Sequence, residues 1–338
     1  MFIVKVLLRA DASATQGTGH VMRCLTLAEA LQSAGHHVVL ATNTSGVAWL
    51  DELVDERGLE VVHVTQHSLD TELVGSVAPD WLVVDSYEIR DTAISACRAK
   101  TRVLAIVDGD DRSIDADLFL DHNIGAEDLS WPVDVRSRLL AGSRYALVRA
   151  AIVSVRRDRP WQFTTDSPHV VAVMGGSDPT GTIVPVTRAI CALDSPVTAT
   201  IVTAPAWHAE VMTLTKDRPG FQVLTPTRNL PALLARANVA VSAAGTSSWE
   251  FCTLGIPSVL LSVVENQRTG LRELTDRGLA WGIDPASVTE QDLVVQIEGA
   301  LRSLLSDEEL RRTISQNCLS SFDGRGATRV VDAMTALV

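Results

Sequence analysis

"IVKVLLRADASATQGTGHVMRCLTLAEALQSAG", residues 3–35, joins an apolar run, a glycine-bearing turn and a helical pattern. Ile3 to Leu8 reads as a buried strand, because its apolar residues run almost unbroken instead of alternating with polar ones. Val21, Cys24, Leu25, Ala28 and Leu31 recur at helical spacing and predict one apolar stripe, with Gly35 placed to end the helix. A strand, a tight turn and a helix in this order form one βα unit of a parallel sheet. Gly17 and Gly19 let the turn backbone approach a ligand, and His20 stands where the helix offers free N–H groups and partial positive charge.

The same alternation continues down the chain. Val38 to Ala41, Val61 to Val64, Trp81 to Val84 and Val103 to Val107 read as further strands between helical segments. "VRRDRPWQFTTDSPH", residues 155–169, breaks the rhythm with prolines and clustered charge, as a linker does. A second set opens with "HVVAVMGGSDPTG" and runs through "VTATIVTAP", "FQVLTPT", "ANVAVSAAGTSSWEF" and "IPSVLLSVVENQ". The reading is an α/β protein of two Rossmann-like, doubly wound domains, residues 1–158 and 159–338, facing an interdomain cleft at the carboxyl ends of their strands.

Bulk properties narrow the function. A chain of 338 residues with 46% hydrophobic and 21% charged residues has the composition of a soluble globular protein. A formal net charge of −12 opposes broad attraction to nucleic acid or an anionic membrane surface, so a small-molecule partner is expected. The five cysteines, at 24, 97, 191, 252 and 318, lack C-x-x-C spacing and read as reduced core thiols. No leader pattern and no apolar run of about 18 residues is found, which predicts a cytoplasmic protein without stable membrane association.

Two further glycine turns repeat the device. Gly175, Gly176 and Ser177 follow a strand, and Asp178-Pro179 can open the next helix. Gly245, Thr246 and Ser247 follow the strand Asn238 to Val241, where hydroxyls and N–H groups suit phosphate oxygens. Glu250, one turn on, can accept from two vicinal ribose hydroxyls or simply complement the helix dipole. Asn266 and Gln267 follow the strand Val259 to Val264, as sugar ligands or as a helix cap. Met22 breaks the dinucleotide fingerprint G-x-G-x-x-G, and no P-loop is present, so no cofactor is expected. "VDGDD", residues 107–111, has D-x-D spacing; its acids read as solvated loop residues rather than metal ligands, and no metal site is expected.

"RADASATQGTGHVMRCLTLAEAL", "LVVDSY", "GSRYALVR", "MGGSDPTG" and "ANVAVSAAGTSSWEFCTLGIPSVLLSVVENQ" together resemble the UDP-2,4-diacetamido-2,4,6-trideoxy-β-L-altropyranose hydrolase family of pseudaminic acid biosynthesis and its spore-coat polysaccharide relatives. The resemblance spans both predicted domains in order. It implies the GT-B fold and metal-independent hydrolysis of a UDP-linked amino or deoxy sugar to UDP and free sugar, with inversion at the anomeric carbon. By motif it implies His20, Tyr87 and Asn266 as catalytic residues; on this reading water is held by His20, with Tyr87 or Asp11 nearby. It places UDP against Gly245 to Ser247 and Glu250, uracil near Thr227, and the sugar near Gln267. Ala244 and Ser86 depart from the family's usual glycine and histidine. A GT-B glycosyltransferase and a catalytically silent nucleotide-sugar binding protein are the alternatives.

Overall fold

The computed structural model describes residues 3–13, 17–44, 47–65, 67–109, 112–157, 167–176 and 178–338. Ser177, Asp110, Asp111 and the predicted boundary between residues 158 and 159 lie outside them.

Continuous apolar runs become parallel strands, as burial on both faces requires. The first sheet contains β1 (Lys5–Ala10), β2 (His37–Thr42), β3 (Glu60–His63), β4 (Trp81–Asp85), β5 (Arg102–Ile106), β6 (Leu118–Asp121) and β7 (Leu139–Ala141). Their order is β3-β2-β1-β4-β5-β6-β7, and every pair is parallel. The second contains β8 (His169–Val173), β9 (Thr198–Val202), β10 (Phe221–Leu224), β11 (Val239–Ala243), β12 (Ser258–Leu261) and β13 (Trp281–Ile283). It is ordered β10-β9-β8-β11-β12-β13, again all parallel. β6, β7 and β13 join the strands anticipated from the sequence. Each sheet reverses its winding once, between β1 and β4 and between β8 and β11, and loops at such reversals hold ligands in open α/β sheets.

Successive residues of β1 serve opposite cores. Val6, Leu8 and Ala10 pack with the stripe Val21, Cys24, Leu25, Ala28 and Leu31 of the helix Gly19–Ser33, while Leu7 packs on the other face with Val39, Leu82 and Val84. The chain divides into residues 1–150 with 324–338, and residues 151–323. The tail therefore returns to the first unit instead of completing the second. Val330, Val331 and Met334 of its helix Gly326–Thr335 enter the same core as the first helix. Gly326 permits that approach, because a Cβ there would overlap the carbonyl oxygen of Ala146. Helical periodicity reveals the tail's apolar face but not which sheet that face covers.

Candidate active site

His20 lies in the first turn of the helix Gly19–Ser33, and Arg23 follows three residues later on the same face. Both are buried against the carboxyl end of the first sheet. β4 runs beside β1 at the winding reversal and ends in Asp85, whose carboxylate is 1% exposed. Asp108 stands just beyond β5.

These side chains form one connected cluster. His20 Nδ1 is 2.6 Å from Asp85 Oδ1. Arg23 donates from Nε to Asp85 Oδ2 at 2.8 Å and from Nη2 to Asp85 Oδ1 at 2.6 Å. Its Nη1 reaches Asp108 Oδ1 at 2.8 Å, and its Nη2 reaches Asp108 Oδ2 at 3.2 Å. Asp108 also accepts from Asn123 Nδ2 at 2.7 Å and from the Tyr87 hydroxyl. The His20 and Tyr87 rings meet edge to face with centroids 4.8 Å apart.

The tautomer of His20 follows from this arrangement. Arg23 Nη2 lies 2.9 Å from His20 Nδ1, but a guanidinium only donates and spends this N–H on the carboxylates. Asp85 only accepts, so the 2.6 Å contact requires the proton on Nδ1. In the neutral ring Nε2 then carries the lone pair, the arrangement of a general base oriented by a carboxylate.

Charge balance keeps the two carboxylates ionised. Burial pushes the Asp85 carboxyl up, yet Arg23 and then His20 outweigh it and leave it below the usual carboxylate range. Burial likewise opposes ionisation of Asp108, and Arg23 again reverses the effect. Burial and then the Asp108 charge raise the Tyr87 hydroxyl well above the ordinary phenol range. Behind them, burial and then Arg23 lower His122 to about 4, while burial raises Asp121 to about 6.

His20 and Tyr87 thus come together as the sequence implies, whereas Asp11 does not join them. Its fully buried carboxylate accepts from Arg9 Nη2, the Asn43 N–H and the His67 N–H, each at 2.8 Å. Those bonds tie the loop after β1 to the loops after β2 and β3, and they occupy both carboxylate oxygens of a residue expected near the attacking water. Gly17 has φ +83°, and nothing lies within 4 Å of where a Cβ would stand on it or on Gly19. The sequence reading missed Arg23, Asp85 and Asn123, and it treated Asp108 as a solvated acid. Two signals were present: the His20–Arg23 spacing on one helical face, and an acid closing the apolar strand "LVVDSY".

The second unit places its turns at the corresponding reversal. Gly175 follows β8 with φ +83° and open space where a Cβ would point, and Gly176 beside it is half-buried. The next helix, Ile183–Cys191, starts later than the Asp178-Pro179 signal implies. Buried Asp178 instead accepts from the N–H groups of Thr182 and Ile183, each at 3.0 Å, satisfying two donors at that helix start. After β11, Gly245 and Thr246 lead into the helix Ser247–Leu254, whose N-cap Thr246 makes no side-chain capping bond. Glu250 is buried in that helix.

Gln267 opens the helix Gln267–Asp276, and exposed Asn266 is its N-cap. Gln267 Oε1 accepts from the Val263 N–H at 3.0 Å, which aims its Nε2 to within 3.4 Å of where a Gly245 Cβ would stand. The turns after β11 and β12 are therefore brought together. Thr227 follows the edge strand β10, three places from β11, and its hydroxyl accepts from the Asn229 N–H at 3.1 Å. Among the described residues no group of three or more His, Cys, Asp or Glu side chains could hold a metal ion. No helix there is long and apolar enough to cross a membrane.

Residues 170–322 match the glycosyltransferase family 28 C-terminal domain. Over 331 residues, 95% of both chains, the protein is 24% identical to the spore coat polysaccharide biosynthesis protein SpsG of Bacillus subtilis (strain 168). The crystal structure of Acinetobacter baumannii MurG superposes with a TM-score of 0.69 at 14% identity, covering 98% of this chain and 99% of that one. The spinosyn rhamnosyltransferase SpnG does so with a TM-score of 0.68 at 16% identity, covering 97% and 100%. The chain has the GT-B fold. Its second unit holds the stretch matched to family 28, and its first holds the His20–Asp85 pair.

Proposed function

We propose that this GT-B protein acts on a nucleotide sugar, with His20 removing the proton from the oxygen nucleophile that replaces the nucleoside diphosphate at the anomeric carbon. The observation that carries the reading is the 2.6 Å His20–Asp85 contact, which leaves Nε2 as the basic nitrogen at the end of the first sheet. Asp85 orients the ring and stabilises the imidazolium formed as the nucleophile is deprotonated. Tyr87 supplies a wall to the imidazole through its ring, because its O–H is given to Asp108.

In the second unit, the turns at Gly175–Gly176 and Gly245–Ser247, with the Gln267 amide, are assigned to the leaving diphosphate, whose growing negative charge their N–H donors would stabilise. Glu250 is assigned to the ribose hydroxyls, backbone groups near Thr227 to the uracil, and Asn266 to the sugar. Single displacement by an activated oxygen inverts the anomeric centre.

Transfer to an acceptor hydroxyl is the leading form of the reaction, supported by the family 28 match over residues 170–322. Attack by water, giving UDP and free sugar, is the second form. It is favoured by the joint occurrence of His20, Tyr87 and Asn266 in the motifs of the UDP-sugar hydrolase family.

Nucleotide release from UDP-N-acetylglucosamine and a panel of UDP-diacetamido-trideoxyhexoses, with and without hydroxyl acceptors and with EDTA present, tests the proposal. Release that needs an acceptor identifies transfer. Release without one, yielding the inverted free sugar by NMR, identifies hydrolysis. Failure of every donor to bind overturns the assignment.

A further inference from the structure

We propose that Arg23 is the positioning residue of this site: one guanidinium clamped between two carboxylates sets His20 through Asp85 and Tyr87 through Asp108. The inference rests on the reading of His20 as the base, and it explains how side chains from separate loops reach a common geometry. Arg23 engages Asp85 through Nε and Nη2 at 2.8 and 2.6 Å, and Asp108 through Nη1 and Nη2 at 2.8 and 3.2 Å. Both carboxylates are thus held by a planar fork, which fixes their orientation as well as their position.

Each carboxylate then passes its orientation on. Asp85 receives the His20 Nδ1 proton at 2.6 Å, and Asp108 receives the Tyr87 hydroxyl. Arg23 itself reaches solvent very little, so it is poorly placed to meet a substrate directly. A lysine here would keep the charge but supply one point of donation where four bonds now converge, leaving both carboxylates free to rotate.

The test combines a substrate-free readout with turnover. In the uniformly ¹⁵N-labelled full chain, the low-field Nδ1–H proton of His20 is assigned by its loss in His20→Asn. Arg23→Lys is expected to shift or broaden that resonance and to cut kcat by about 10²-fold, while the KM for the nucleotide sugar changes less than about threefold, since small misplacements cost rate before binding. Asp108→Asn weakens the Tyr87 arm while Arg23 keeps both of its bonds to Asp85. It should leave the His20 resonance in place and lower kcat, and adding Tyr87→Phe should produce little further loss, because both changes cut the same connection.

An unshifted His20 resonance with kcat within about twofold of wild type in folded Arg23→Lys overturns the proposal. Multiplying losses for Asp108→Asn and Tyr87→Phe, or no low-field Nδ1–H in the wild type, do the same. Absence of nucleotide-sugar turnover would instead strike the functional reading, and the resonance would still decide the role of Arg23.

Discussion

Replacing Asp85 by asparagine changes one oxygen to an amide nitrogen at almost constant shape, and its consequences follow from three bonds. The native carboxylate accepts from His20 Nδ1 at 2.6 Å and from Arg23 at 2.6 and 2.8 Å. Asparagine can accept at only one of these positions and presents N–H donors at the other. If it donates to Nδ1, the imidazole proton moves to Nε2 and the base is lost; the same substitution in the serine protease triad lowers kcat by about 10⁴. We expect a fall of about 10²–10⁴ in kcat, the range for losing a general base, with KM nearly unchanged. Stability also declines. Breaking a buried ion pair costs about 3–5 kcal/mol, and the lower end applies because Arg23 keeps Asp108. At about 2–4 °C per kcal/mol, melting of the first unit should drop by roughly 6–12 °C. Steady-state nucleotide release, with circular dichroism melting on the same preparation, measures both. A kcat within threefold of wild type would refute the orienting role of Asp85.

Three further outcomes follow from other parts of the molecule. Glu250→Gln should weaken UDP binding by about 10-fold or more in calorimetry while leaving kcat at saturating donor nearly unchanged, as expected for a charged hydrogen bond to ribose; unchanged affinity removes Glu250 from the nucleotide site. Asp121 and His122 should oppose each other in the pH dependence of stability. Asp121, raised from 3.8 to about 6, contributes stability that is lost as pH rises through that window, whereas His122, lowered from 6.5 to about 4, contributes stability that is lost as pH falls through its own. Each amounts to something on the order of 3 kcal/mol. Asp121→Asn should therefore show urea stability rising between pH 4.5 and 7, and His122→Gln the reverse; identical profiles for the two variants would contradict the assignment. Gly326→Ala should destabilise the first unit by about 1–3 kcal/mol, because its methyl group would overlap the Ala146 carbonyl; unaltered melting would refute the tail's close docking.

Much of this architecture is written locally. Ile3 to Leu8 and the stripe from Val21 to Leu31 announce a βα unit through nearest-neighbour pattern alone, and parallel pairing then follows from the alternation. β7, Leu139–Ala141, and β13, Trp281–Ile283, are too short to carry a period, and only neighbouring strands make them strands. His20 is legible because glycines and a helix start mark its place. Arg23 is legible only in its spacing from His20: an arginine on an amphipathic helix reads as solvated until β4 and β5 bring Asp85 and Asp108 against it. Asp11 fails for the same reason in reverse. Its position after β1 suggests a ligand, but Asn43 and His67 join Arg9 in claiming its oxygens, the first two through contacts that no local pattern encodes.

The most direct test of the central claim compares wild type and His20→Asn for UDP release from a nucleotide-sugar donor, with UDP affinity measured in parallel. The account predicts that turnover falls by about 10²–10⁴ while UDP affinity stays within about threefold, since His20 acts on the nucleophile and the nucleotide is assigned to the other unit. Undiminished turnover in a folded His20→Asn protein would contradict it.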